Sequence, residues 1–226
     1  MSAIFAPPAT KAELTPTNTH LMADIETLGT CPRSAVLTIG AVLFDPRKQD
    51  DVGALERRGL LRRVSMNDAL THGTVDPDTI KWWFEQDDKA IKELVTGEIV
   101  SLKTALEELR QYAVHRWVKG DDKFFAGHSQ YPIATTIWAN SPNFDCTILE
   151  HACRQVGEVF PFKFFQYRDV RTLKDLAWPN GPDSIPKFAS GTKHNALSDA
   201  VSQALIVQAG YKQLGLSTEN ISFSTF

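Results

Sequence analysis

The chain has 226 residues, with 24 Lys+Arg against 27 Asp+Glu and a formal net charge of −3. Hydrophobic residues make up 42% and charged residues 23%, an ordinary globular composition that can bury a core without disulfide or structural-metal help. This near-neutral balance excludes a protein that coats nucleic acid or a basic membrane surface by bulk charge, so a polyanionic substrate must be held by a local site.

Residues 1–18, with Pro7, Pro8 and Pro16, read as a loosely ordered leader without the basic and apolar halves of a secretory signal. HLMADIET (20–27) and AVLTIGAVLFDP (35–46) then read as two strands joined by the turn LGTCPRS, and Gly59 to Val64 adds a third strand to an antiparallel meander. A helix opens after Pro77 and runs over Asp78 to Gln86, carrying Trp82 and Trp83. The clearest helix spans Ser101 to Trp117, with Ser101 as its cap and Leu102, Leu106, Leu109 and Ala113 as an apolar stripe.

FFAGHSQ follows a polar linker, and ATTIWANS is a strand. Phe144 to Val156 is helical, FKFFQYRDV is strand-like, and Thr172 to Ala177 is a short helix. A Pro-, Gly- and Ser-rich loop (179–191) leads to a last helix, Asn195 to Leu214, with Ala196, Ala200, Ala204 and Val207 along one side. The final dozen residues are polar and are expected to fray. The layout predicts an α/β domain with a mixed sheet over residues 19–213 and a tail over 214–226.

Cys31, Cys146 and Cys153 are too few and scattered for a disulfide framework and lack zinc spacing, so they read as reduced thiols of a cytoplasmic protein. No run approaches the roughly 18 apolar residues of a membrane span.

The informative residues are acidic. Asp24 and Glu26 sit two apart on a strand, so both carboxylates project from one face of an otherwise apolar run. Alone, this pair reads as a solvated edge strand ahead of a cation site. Two further acids add weight: Asp145 follows an apolar strand where a helix starts, and Asp199 lies in the opening turns of the last helix. Strand ends and helix starts gather at one edge of an α/β sheet, where such folds bind ligands.

An all-oxygen set suits magnesium or manganese rather than zinc. Carboxylates around two such ions suit in-line phosphoryl displacement. His194, on the loop entering the last helix, has a proton affinity suited to a general base at neutral pH; the plain alternative is a surface histidine beside the capping Asn195.

Read together, DIETLG (24–29), NSPNFD (140–145) and HNALSD (194–199) resemble the motifs of the DEDDh exonucleases of the DnaQ-like superfamily. DVRTLKDL (169–176), TIKWWFEQDDKA (79–90) and YRDVRT (167–172) are similar to segments of the branch that groups phage exonuclease A with a mycobacterial exoribonuclease. The five-residue gap from His194 to Asp199 marks the histidine branch. One departure is Leu28, where proofreading subunits often have Thr.

The resemblance covers residues 19 to 213 and implies a ribonuclease-H-like mixed sheet flanked by helices. It also implies 3′–5′ hydrolysis of single-stranded DNA or RNA to 5′-mononucleotides with two Mg²⁺ or Mn²⁺ ions. Asp24, Glu26, Asp145 and Asp199 would bind the metals and His194 would be the general base.

Thr27, Leu28, Gly29 and Phe144 occupy positions that the family uses at the terminal nucleotide, although Phe144 equally fits the core. Trp83 and Gln86 are the candidates for contact from the preceding helix, and which of the two tryptophans faces substrate is open. Many relatives are dimers, and the sequence leaves oligomeric state open. Two other readings stay in play: a weakly catalytic module that binds 3′ ends, and a hydrolase of short oligonucleotides or nucleotides only.

Overall fold

The structure, a computed structural model, describes residues 18–114, 134–188, 191 and 194–218. The leader up to residue 17, the FFAGHSQ run and the end of the Ser101 to Trp117 segment lie outside the described residues.

Six strands form one mixed sheet in the order β4-β3-β2-β1-β5-β6: β1 (His20–Thr27), β2 (Val36–Phe44), β3 (Leu60–Val64), β4 (Ile99–Val100), β5 (Thr136–Ala139) and β6 (Tyr167–Asp169). β1, β2 and β3 form the expected antiparallel meander, while β4, β5 and β6 join in parallel. In register, Asp24 stands opposite Gly40 and Glu26 opposite Thr38. Every residue of β2 is buried, which explains its continuous apolar run: both faces are covered.

One face packs Leu21, Ala23, Ile25 and Ile39 against α5 (Leu102–Val114) and α6 (Asp145–Val156). The opposite face packs Met22, Val42 and Phe44 against Ala200, Val201 and Ala204 of α8 (Ala196–Gln213). The stripe Leu102, Leu106, Leu109 and Ala113 is buried as its spacing predicts, and Ser101 Oγ accepts from Thr104 N at 3.0 Å. The helices α3 (Pro77–Phe84) and α7 (Val170–Ala177) lie close to their expected positions.

Three helices have no counterpart in the sequence reading: α1 (Val52–Arg57), α2 (Met66–His72) and α4 (Asp88–Val95). FKFFQYRDV is not one strand. Only Tyr167–Asp169 pairs, while Phe164–Gln166 forms a 3₁₀ turn that leaves Phe164 and Phe165 exposed. Residues 214–218 do not fray: Leu216 N donates to Tyr211 O, Thr218 N donates to Arg47 O, and Ser217 is fully buried. Among the described residues no helix is long and apolar enough to cross a membrane.

Candidate active site

The site forms at the C-terminal ends of β1 and β5. Their parallel pairing stops at Met22 opposite Trp138, so the last turn of β1 lacks a β5 neighbour and a crevice opens there. Asp24 and Glu26 reach it from β1. Asp145 enters at the first position of α6, and the backbone N–H groups of Ile25, Asp145 and Ser141 stabilise its ionised carboxylate.

The fourth acid and the histidine arrive with α8. Asn195 caps that helix, its side chain accepting from Leu197 N and Ser198 N at 3.1 Å each, and its Nδ2 donates to Glu93 Oε2 at 2.6 Å. His194 is the one non-glycine with positive φ (62°) among the described residues, a conformation that costs about 1–3 kcal/mol and persists only where surroundings enforce it. They do so here: its backbone N–H donates to Asp199 Oδ2 at 3.1 Å, and its ring meets Trp82 edge-on at 5.0 Å and Trp83 at 6.1 Å. Donor atoms of Glu26, His194 and Asp199 all lie within 4.8 Å of one another.

The electrostatics are those of crowded acids. Burial, then Asp145, Glu26 and Asp199, hold the Asp24 carboxyl well above the usual carboxylate range. Glu26 is pushed up to about 9 by burial and by Asp199 and Asp145. Burial also raises Asp145. Among the described residues, no Lys or Arg forms an ion pair with Asp24, Glu26 or Asp145. Such mutual repulsion among carboxylates, eased at Asp145 by the nearby charge of Arg171, fits hard divalent cations.

A cleft of about 530 Å³ adjoins the acids, with Thr27, Gly29 and Thr30 on one side, Asp76, Thr79 and Trp82 on another, and Phe144 at its end. Two bonds fasten α3 along it: Asp76 N donates to Leu28 O at 2.7 Å, and Trp83 Nε1 donates to Thr27 O at 2.9 Å.

Not every expected strand-binding residue faces this cleft. Leu28 is only 6% exposed and packs in the core, because the turn after β1 folds it inward while Thr27 and Gly29 line the opening. Trp83 does line the cleft, but it is 5% exposed and also holds α3 through Nε1, whereas Trp82, 39% exposed, lines the cleft with its ring nearer to His194. Gln86 lies outside the cleft wall, and its Nε2 donates to Trp82 O of its own helix. Cys146 beside Asp145 is buried, and burial pushes its thiol up, in keeping with a packing role.

Sequence reasoning missed Gln203, whose Nε2 donates to Asp24 Oδ1 at 2.8 Å. Its signal was available: a polar residue among Ala200, Ala204 and Val207, one turn beyond Asp199.

Residues 19–211 match the family described as the 3′-5′ exoribonuclease Rv2179c-like domain. The chain belongs to this family. It is a 3′–5′ exonuclease of the DEDDh type. An exodeoxyribonuclease of Enterobacteria phage T4 is 24% identical over 165 residues, covering 66% of this chain and 67% of the phage protein.

Among solved structures, the nuclease domain of 3′hExo, a DEDDh family member bound to rAMP, superposes with a TM-score of 0.53. It shares 14% identity and covers 88% of this chain and 94% of that one. E. coli exonuclease I with a dT13 oligonucleotide gives a TM-score of 0.55 at 12% identity, over 87% of this chain but only 41% of that protein. These likenesses establish the ribonuclease-H-like fold of this DEDDh exonuclease.

Proposed function

We propose that this exonuclease degrades single-stranded DNA or RNA from the 3′ end to 5′-mononucleotides, with Asp24, Glu26, Asp145 and Asp199 holding two Mg²⁺ or Mn²⁺ ions. The observation that carries the reading is the convergence of Glu26, His194 and Asp199 within 4.8 Å beside two more crowded carboxylates. When bound, the cations would neutralise phosphate charge and make water a nucleophile near neutral pH.

The chain's own residues then have distinct tasks. His194 accepts a proton from the attacking water, its ring steadied by Trp82 and Trp83. Phe144 and Trp82 wall the cleft where an unpaired terminal base can stack, which favours a single strand over a duplex. The backbone at Thr27 and Gly29, on the cleft wall, would hold the terminal sugar. A Cβ at Gly29 would come within 2.8 Å of Ser34 Oγ, so a side chain there must displace the hydroxyl that donates to Cys31 O.

The test is digestion of 5′-labelled single-stranded DNA, single-stranded RNA and recessed-end duplexes, with Mg²⁺ and Mn²⁺ compared. Single strands should shorten progressively from the 3′ end, and Asp24→Ala should abolish this without loss of fold. An Asp24→Ala protein that digests like the wild type refutes the reading, whereas a wild type that binds 3′ ends without metal-dependent turnover leaves an end-binding module. Turnover confined to the shortest members of a length series would favour the oligonucleotide hydrolase instead.

A further inference from the structure

Gln203 lies on the inner side of α8 and is 9% exposed. Burying an amide among Ala200, Ala204 and Val207 costs free energy unless both its ends are hydrogen-bonded. Here only one end is: Nε2 donates to Asp24 Oδ1 at 2.8 Å, while Oε1 has no partner. A residue kept for packing alone would be apolar at this position, so the explanation lies in what it does to Asp24.

A carboxylate gripped at one oxygen has its plane fixed and its other oxygen left for a cation. A neutral amide achieves this without adding charge. A Lys or Arg in the same place would neutralise Asp24 and compete with the ions that four crowded acids are there to attract. The geometry points to Gln203 as a positioning residue that orients Asp24 for divalent-cation binding, an inference that rests on the two-cation reading above. Oε1, buried and without a partner, is a cost that the bond from Nε2 to Asp24 must offset.

Outer partners of metal-binding carboxylates typically contribute about 10–100-fold to affinity. Replacing Gln203 by Met keeps length and volume, and Gln203→Leu provides a second apolar variant should the first not fold. Mn²⁺ binding without nucleic acid, followed by electron paramagnetic resonance, should weaken at least tenfold in either variant. Melting in EDTA should change little, because removal of the buried unsatisfied Oε1 offsets the bond lost to Asp24.

Activity should recover toward the wild-type kcat as Mn²⁺ is raised, a split that a purely structural role would not produce. Asp24→Asn is the control. If it loses Mn²⁺ binding while Gln203→Met binds within twofold of the wild type, the Gln203 role is overturned and the exonuclease reading stands. If Asp24→Asn also binds like the wild type, both fall.

Discussion

A Cβ on Gly40 would lie 2.1 Å from the backbone carbonyl carbon of Ala196. Gly40 is the cross-strand partner of Asp24, so the place where the sheet lacks a side chain is where α8 begins, immediately after His194. Close approach of helix to strand thus sets the distance between the acids of β1 and those of α8.

Gly40→Ala should therefore do more harm to activity than to folding. Overpacking costs about 1–3 kcal/mol, which denaturant unfolding would register as a modest loss. Lifting the start of α8 should also lower exonuclease activity more than tenfold, as misplacement by about an ångström does elsewhere. A variant with normal turnover would show that the approach at Gly40 does not set the site.

The two adjacent tryptophans should separate cleanly in mutagenesis. Trp83→Phe removes the Nε1 bond to the buried Thr27 carbonyl and should destabilise by about 1–3 kcal/mol in chemical denaturation. Trp82→Ala should leave the melting temperature nearly unchanged, yet slow hydrolysis by freeing the His194 ring. The opposite pattern would reverse their assigned roles.

Asn195 does two jobs, capping α8 and holding Glu93 of α4. Asn195→Ala should cost about 0.5–2 kcal/mol from the cap. Asn195→Ser should restore the cap without the reach to Glu93. If Asn195→Ser regains stability but not activity, the tether to α4 matters for placing His194; full recovery of both would assign the residue to capping alone.

His20 supplies a pH dependence away from the catalytic edge. Burial holds its imidazole down to about 4 from an ordinary 6.5, with Asp45 opposing and Arg168 and Arg47 assisting. Its Nδ1 accepts from Trp138 Nε1 at 2.8 Å. Between those two values the unfolded chain binds the proton and the folded chain does not, so stability falls as pH drops through that window, by about 3 kcal/mol at most. The difference between melting curves of the wild type and His20→Gln, taken across the window, isolates this contribution.

The crowded acids have the opposite sign. With Glu26 pushed up from 4.5 to about 9, the folded chain keeps a proton that the unfolded chain releases, so the metal-free protein loses stability as pH rises through that range. On the two-cation reading, divalent cations would substitute for those protons. The rise in melting temperature on adding Mn²⁺ should be larger near about pH 8 than near about pH 5.5. Equal shifts would argue against binding at these acids.

The sequence announces some of this architecture and conceals the rest, for physical reasons. Acids inside an apolar strand run such as β1 are conspicuous because burying charge is costly, and the stripe of α5 repeats over enough turns to show its period. The helices α1 and α2 span six and seven residues, too few for a period to emerge, and they rest on caps at Asp51 and Ser65. The two-residue β4 exists only through its parallel pairing with β3. Trp82 and Trp83 point about 100° apart on α3, and only the fit of that helix against β1 decides that Trp83 is buried while Trp82 stays exposed. Leu28 turns inward for a similar reason, since the turn after β1 sets its direction.

The contact between Asp24 and Gln203 spans 179 positions of chain. During synthesis β1 emerges early, and its acids meet His194 and Asp199 only after α8 has left the ribosome and docked. A chain stalled before that point holds three of the four acids proposed to bind metal, Asp24, Glu26 and Asp145, but neither Asp199 nor the proposed base His194. The order of elements thus acts as a safety catch, withholding the nuclease site until nearly all of the fold has been made.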